Sequence, residues 1–597
     1  MSTEFWDERG EPWEFDPGPP RNRKWPRLFA ETPNYRAFGK EVTGREEFRW
    51  HFGPMFYRGR LGDGEVKVLI VGQEGAQDES LTHRSFSGGS GARMQNLLNH
   101  IGIPRSYLFM NTFVYPIFGQ YDGDNRLIAQ HPDSPVRRHR EELFDYVVAR
   151  NDLRLAIAVG SAAKESIASW IESHGGSADP AALELADASV ISPGLHVLGV
   201  LHPGGAGLPG GVTRIRESFV EALVQIEGWA AADADWLPVD PDGHRESASA
   251  YTYSSDPIPF RDLPYGTAWR LGRGATSSNR KDDQQAIQLF GQHGKYNNDG
   301  HRPTYGDAGG DPDGYSDEPG DLPYEPPKRE YRDFDRGPSA TMARLLQGGQ
   351  TGLPWPDFAT FGLRADPSFG LGPGYRGRLE GASLLVIADQ QSHDDLFTGR
   401  AVCGDAGQHL QAFLTAAGVS ESYAVVRTLP CDTLDEDADA VRAAVDSAEV
   451  RALHAEIVRR ARPEVLVLMG PMAARLEPHV NPHGAPTVRI RSFLQTGVEA
   501  DWRSALTTLE GLPYQRDLPH PSYDYHGERE QIPRIDLPFG TLRWQATSGD
   551  RALRARRGAN PSFDYYKYVM PDWAYALDPD PLSEAERRAA ERLGEDQ

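Results

Sequence analysis

Three polar positions at the ends of apolar runs could do chemistry together. Gln73 and Glu74 follow Val68-Leu69-Ile70-Val71-Gly72, Asn111 closes Tyr107-Leu108-Phe109-Met110, and His202 follows the run from His196 to Leu201. Their types are complementary. A carboxylate can stabilise a developing cation or orient water, and an imidazole can donate to a developing anion. A side-chain amide donates and accepts along one edge. Asp78 and Glu79 stand in the same loop as Glu74 and compete with it for the carboxylate role.

Groups this far apart in sequence must be brought together by regular elements. Val66 to Val71 is a short, apolar, β-branched run that reads as a buried strand, as do Tyr107 to Asn111, Leu155 to Val159 and His196 to Leu201. Helical spacing marks Arg93 to His100, Glu141 to Arg150, the stretch through Trp170, and Ile215 to Glu227. Alternating strands and helices predict a mostly parallel sheet covered on both faces. In such sheets working residues sit beyond the carboxyl ends of strands, where Gln73, Glu74, Asn111 and His202 all fall.

The pattern occurs twice. Leu384 to Ala388 repeats Val68 to Gly72, and a gap-free register of 316 residues pairs Phe86 with Val402, Gly91 with Gly407, Gly102 with Gly418 and Thr112 with Thr428. Later strands are expected at Ala424 to Thr428, Val465 to Met469 and Thr487 to Arg491, and a helix at Trp502 to Glu510. Each core is followed by a similar tail, Asp262-Leu263-Pro264-Tyr265-Gly266-Thr267 and Asp536-Leu537-Pro538-Phe539-Gly540-Thr541, which should dock something aromatic. These features predict a tandem duplication. The α/β class follows, as two tandem three-layer αβα domains with a central sheet each. The expected division is an N-terminal extension (1–50), a first domain with its tail (51–295), a Gly, Pro and acid-rich linker (296–370), a second domain (371–575) and a C-terminal tail (576–597).

Composition narrows the class. The 597 residues carry a net charge of -23, which argues against non-specific coating of nucleic acid. The stretch from Asn297 to Glu330 is rich in Gly, Pro, Asp and Glu and nearly empty of aliphatics, so it should be a solvated, protease-sensitive linker. Basic clusters at Arg21 to Lys24, Arg137 to Arg140 and Arg551 to Arg557 read individually as solubilising surface. No run of 18 apolar residues is present, and Met1 to Pro26 lacks the apolar core of a signal peptide, so the expectation is a cytoplasmic protein with no membrane contact. Two cysteines, Cys403 and Cys431, are too few for a disulfide framework or an iron–sulfur cluster. No cofactor or metal is expected.

From Glu65 to Glu227 the first copy resembles the uracil-DNA glycosylase superfamily. Gly72-Gln73-Glu74-Gly75-Ala76 stands in the place of its first motif, Phe86 in that of its base-stacking phenylalanine, Asn111 in that of its base-reading asparagine, and His202-Pro203 in that of its His-Pro motif. The resemblance implies DNA as partner and a monofunctional glycosylase that draws a nucleotide from the stack. Glu74, or else Asp78, would stabilise the sugar cation, and His202 the departing base anion. Gln73, Ala76, Phe86 and Asn111 would line the base pocket. In the most uracil-selective branch a tyrosine stands where this chain has Ala76, so the pocket should admit a C5 substituent, with uracil or a C5-modified pyrimidine as substrate; a tighter loop compensated elsewhere is the competing explanation. Superfamily relatives that excise glucosylated bases from phage DNA imply antiviral defence as one setting.

The second copy lacks the set. Gln390 replaces Glu74, Val402 replaces Phe86, and Arg427 replaces Asn111. His520-Pro521 follows the helix that it ought to precede, so it reads as a decoy, and the aligned strand end is near Arg491-Ser492-Phe493. This copy is expected to be non-catalytic, structural or DNA-binding through Arg427, Arg491, Arg554, Arg556 and Arg557. Two other functions remain open at this level: a hydrolase of free modified nucleosides, which suits the acidic chain, and a modified-DNA binding module without turnover.

Overall fold

The computed structural model describes residues 9–207, 210–267, 288–289, 333–348, 352–363, 374–392, 394–431, 433–434, 436–547, 567–568 and 581–597. The acidic stretch 297–330 and Arg554, Arg556 and Arg557 lie outside them.

Two sheets dominate. The first has the order β1-β3-β2-β4-β6-β5, with β1 Arg58–Gly59, β2 Val68–Gly72, β3 Tyr107–Asn111, β4 Leu155–Val159, β5 Glu184–Asp187 and β6 His196–Val200. Its four central strands are parallel, and β1 and β5 are antiparallel edges. After the short strand β7, Gln288–Leu289, which lies in neither large sheet, the second has the order β12-β11-β9-β10-β8, with β8 Tyr375–Gly377, β9 Leu384–Ala388, β10 Tyr423–Arg427, β11 Val465–Met469 and β12 Thr487–Ile490. Its β8 edge is likewise antiparallel. Helices flank both sheets, so the mixed α/β architecture and its parallel centres are as the pattern requires. Register repeats with order: Gly72 pairs with Asn111, and Ala388 with Arg427. The β2, β3, β4, β9, β10 and β11 strands are buried along their whole length, which explains their unbroken apolar runs.

A buried polar network ties each tail to its own sheet. Arg58, fully buried, donates to Asp262 (2.8 Å) and Gln95 (3.0 Å), and the Tyr107 hydroxyl donates to Asp262 (2.6 Å). Arg376 makes the same contacts with Asp536 and Gln411, and Tyr423 donates to Asp536. Removing one partner of such a set typically costs about 3–5 kcal/mol.

The expected boundaries shift. Trp25, Leu28, Phe29, Tyr35 and Phe38 belong to the first lobe's core, so the N-terminal segment is part of that domain. The end of the chain returns to it as well: helix Glu584–Glu595 buries Ala589, Ala590 and Leu593 there. The segment expected to be linker contributes helix Ala340–Leu346 to the second lobe's core. The cluster Arg137 to Arg140 is also not a solvated face. Arg137, His139 and Arg140 are buried, with Arg140 donating to the Ala129 carbonyl at 2.8 Å.

The tails cross between lobes. Phe539 and Leu542 of the second tail enter the first core, while Tyr265 of the first tail enters the second. Phe15 and Phe334 cross in the same way, stacking edge-on against Tyr265 (5.3 Å) and Phe539 (5.1 Å) respectively. The two lobes form one reciprocally fastened body.

Candidate active site at the carboxyl edge of the first sheet

Glycine at position 72 makes the floor. A Cβ there would lie 2.3 Å from the Phe86 ring and 2.9 Å from Asn111 Oδ1, so only glycine lets ring and amide converge over the end of β2. Phe86 has a left-handed backbone (φ 53°), a costly conformation for a bulky residue. Gly91, at the start of helix Gly89–His100, accommodates it, since a Cβ there would sit 1.6 Å from the Phe86 carbonyl oxygen. The ring packs tilted against Phe109, centroids 4.9 Å apart.

Asn111 is 6 % exposed. Its Nδ2 donates to Ser85 Oγ at 3.3 Å, and its Oδ1 has no hydrogen-bond partner among the described residues. Buried polar atoms are seldom left so, and an unmet acceptor beside an aromatic face suits a ligand that brings its own donor. Ser85 is held in turn by donating to the Met55 carbonyl at 2.9 Å.

Glu74 accepts a hydrogen bond from the Ile117 backbone N–H and one from Gln73 Nε2 (3.1 Å). Burial pushes its carboxyl up to about 7, against the pull of the Ile117 bond, the Arg49 charge and the Gln73 bond. Arg49 was not legible as a site residue. It comes from the segment before β1 and packs over Phe52 and Phe118 beside the Ile117 turn.

The neighbouring acids are otherwise engaged. Glu79 accepts from the N–H groups of Ala76 (2.8 Å) and Gly88 (2.9 Å), closing the loop on itself. Asp78 is buried beneath Gly88, where a Cβ would sit 2.5 Å from its Oδ2. Asp394 and Asp395 occupy the matching places in the second lobe, and Asp395 likewise accepts from the Cys403 N–H at 2.8 Å. Ala76 is exposed at the loop's rim.

His202 stands across the site, beyond β6, with β4 between it and β2. Two strand spacings amount to about 10 Å. Gly160 at the end of β4 (φ 87°) brings the backbone against it, a Cβ there falling 3.1 Å from His202 Cβ. Its Nδ1 accepts from the Gly204 N–H at 3.0 Å, which puts the ring proton of the neutral form on Nε2. Although the residue is exposed overall, the protein crowded round the ring holds its pKa below the usual value. A cavity of about 580 Å³ opens beside it, between Gly160, Ser161, Lys164 and Arg214. Gln73, Glu74, Phe86 and Asn111 thus cluster on one rim, and His202 forms the other.

The second lobe closes the same edge. Gln390 accepts from the Thr433 N–H at 2.7 Å, the counterpart of the Ile117 bond to Glu74. Val402 keeps the left-handed backbone (φ 53°), but Ala388 replaces Gly72. Gln391 bridges to Ser492 and Phe493 (both 2.9 Å) across the strand ends. Arg427, expected to contact DNA, is 3 % exposed and donates inward to the Cys431 carbonyl at 2.8 Å, so it presents no charge to a phosphate. Arg491 is exposed at the strand end. Pro521 lies against Gly418, just before β10, which puts the His520-Pro521 pair at the opposite edge of the sheet.

Among the described residues no group of three or more His, Cys, Asp or Glu side chains could hold a metal ion, and no helix is long and apolar enough to cross a membrane. Residues 60–207 match the model of the uracil DNA glycosylase superfamily, a span from the approach to β2 through the loop that carries His202. Over this span the first lobe is similar to that superfamily, and a DNA glycosylase-type activity is what the match suggests. No curated protein matches the chain.

Proposed function

We propose that the first lobe is a monofunctional DNA glycosylase that hydrolyses the N-glycosidic bond of a flipped pyrimidine, uracil or a C5-modified base. The observation that carries this reading is the pair Glu74 and Gln390. Both accept a hydrogen bond from the backbone N–H 43 residues downstream, so the loop's geometry needs only an acceptor. The negative charge at position 74 is surplus to folding, and it sits at a strand end with a raised pKa, as catalytic carboxylates do.

The base would lie on the Phe86 face, with its edge completing Asn111. As the bond to the sugar breaks, the ionised Glu74 stabilises the sugar cation and aligns water. Gln73 and Arg49 hold the carboxylate in place. The Nε2–H of neutral His202 donates to the departing base. Asp78 and Glu79 have loop-supporting roles in this scheme, and the small, exposed Ala76 leaves room beside C5. We take the second lobe as a duplicated domain without a catalytic set. Antiviral defence is a setting for the C5-modified case.

Alkali cleavage of oligonucleotides carrying uracil or C5-substituted pyrimidines tests this. Nicks with the native chain and none with Glu74→Gln are expected. Base release from free nucleosides alone would point to a nucleoside hydrolase, and gel shifts without nicks to a binding module.

A further inference from the structure

The segment from the carboxylate to the stacking ring, Glu74 to Phe86, is not held by the first lobe alone. Its middle is helix Gln77–Thr82, which ends at His83 in a left-handed turn (φ 59°). Arg84 follows, fully buried, two residues before Phe86. Its guanidinium donates to the Phe539 carbonyl at 3.0 Å and to Asp16 at 2.6 Å, and it lies 4.9 Å over the Tyr57 ring. Gly540 (φ 96°) packs so closely that a Cβ would fall 2.7 Å from His83 Cβ, and Gln545 reaches the Ser80 carbonyl at 3.5 Å. The Phe539 ring is wedged among Phe29, Phe56 and Tyr57. All three of these second-tail residues bear on the loop between the carboxylate and the ring.

The mirror contact exists with nothing catalytic beneath it. Arg400 donates to the Tyr265 carbonyl at 2.7 Å and to Asp335 at 2.6 Å, and it lies 4.9 Å over the Tyr375 ring. Gly266 presses on the Gly399 carbonyl, with a Cβ there 2.7 Å away. Both contacts join the lobes. Only one of them grips the segment that bears Glu74 and Phe86.

We propose that Phe539, Gly540 and Gln545 of the second lobe are positioning residues for the first lobe's segment 74–86. On this proposal the second lobe serves as a built-in clamp on the catalytic loop. It rests on the glycosylase reading for its effect on turnover, but not for its effect on loop order. Small displacements matter here, because a misplacement of about 1 Å can cost on the order of 100-fold in rate.

The test uses the full chain and compares Phe539→Ala with its mirror, Tyr265→Ala. Each removes one aromatic wedge between the lobes, so a purely structural role predicts equal consequences. Phe539→Ala should lower kcat on a uracil oligonucleotide by about tenfold or more with little change in KM. Phe539→Tyr should restore it, since tyrosine fills the mirror position. Tyr265→Ala should leave kcat within about twofold, its contact being remote from the site. Amide hydrogen exchange should quicken across 74–88 in Phe539→Ala and across 395–404 in Tyr265→Ala. Equal losses of kcat in the two variants, or unchanged exchange at 74–88 in Phe539→Ala, would overturn the proposal. If either alanine variant fails to fold, Gly540→Ala and Gly266→Ala carry the same comparison. If the native chain releases no base, the glycosylase reading falls, and the exchange pair still decides this one.

Discussion

The two lobes share a scaffold and differ at its working edge. Both keep the left-handed residue at 86 or 402, the glycine behind it at 91 or 407, the acceptor at 74 or 390, and the buried arginine at 84 or 400. They part at Gly72 and Ala388, Phe86 and Val402, Asn111 and Arg427, and Gly75 and Gln391. The second lobe has the larger side chain at 388, 391 and 427 and the smaller one at 402, and the polar groups of Gln391 and Arg427 are engaged within the lobe. What the backbone demands is common to both, and the polar and aromatic groups of the candidate site are present in one.

That contrast can be broken from several sides. Beside the loss of nicking in Glu74→Gln, the next largest is expected from removing the donor on the far rim: His202→Ala should lower base release by about 10²–10³-fold in a single-turnover nicking assay, with an unchanged melting temperature. Asp78→Asn sharpens the point. It should retain most of the nicking activity, and a collapse comparable to Glu74→Gln would move the catalytic carboxylate to position 78.

Next in size is a packing exchange at the floor. Gly72→Ala alone places a methyl against the Phe86 ring and should destabilise by about 1–3 kcal/mol in denaturant unfolding. The double variant Gly72→Ala with Phe86→Val reproduces the second lobe's pair and should recover much of that stability while remaining inactive. A double variant no more stable than the sum of the single changes would mean that the two sites are uncoupled.

A smaller effect concerns selectivity. Ala76→Tyr should suppress release of C5-substituted pyrimidines more than release of uracil, because added bulk clashes only with the larger base. Equal suppression of both would make residue 76 a support of the loop.

The smallest effect is in pH dependence. The Glu74 carboxyl, raised to about 7 from an ordinary 4.5, must ionise to act, so kcat/KM should climb as pH rises through about 7. Stability runs the other way. The folded state holds this proton more tightly than the unfolded chain, so the group favours folding at low pH, and that contribution is lost between about 4.5 and 7. The native chain's melting temperature should therefore fall between pH 5 and pH 8 relative to Glu74→Gln. Parallel curves for the two proteins would show that Glu74 titrates normally.

Much of this was legible in the residues because the central strands are buried on both faces and read as short apolar runs, and because strand ends in parallel sheets collect functional groups. The runs at 66–71, 107–111, 155–159 and 465–469 became strands, the first shifted to 68–72 and the others unchanged at their ends. The edges β1, β5 and β8 were not legible, being two to four residues long and without a pattern of their own. Helix Gln77–Thr82 was missed for the same reason of length. Arg49 carried no signal, since its relevance comes from packing beside Ile117 and from no motif.

Sequence alone determined the strand order's raw material, the recurrence of the strand pattern at a constant offset, the placement of Gln73, Glu74, Asn111 and His202 at carboxyl ends, and the misplacement of His520. These depend on local periodicity and on order along the chain, which a sequence states directly. Only the tertiary structure decided that Arg427 and Arg140 point inward, that Gln390 reproduces the bond made by Glu74, and that Phe539 and Tyr265 change lobes. Those outcomes depend on which surfaces meet. An arginine or an aromatic ring is equally at home in several environments, and packing between segments hundreds of residues apart selects one of them.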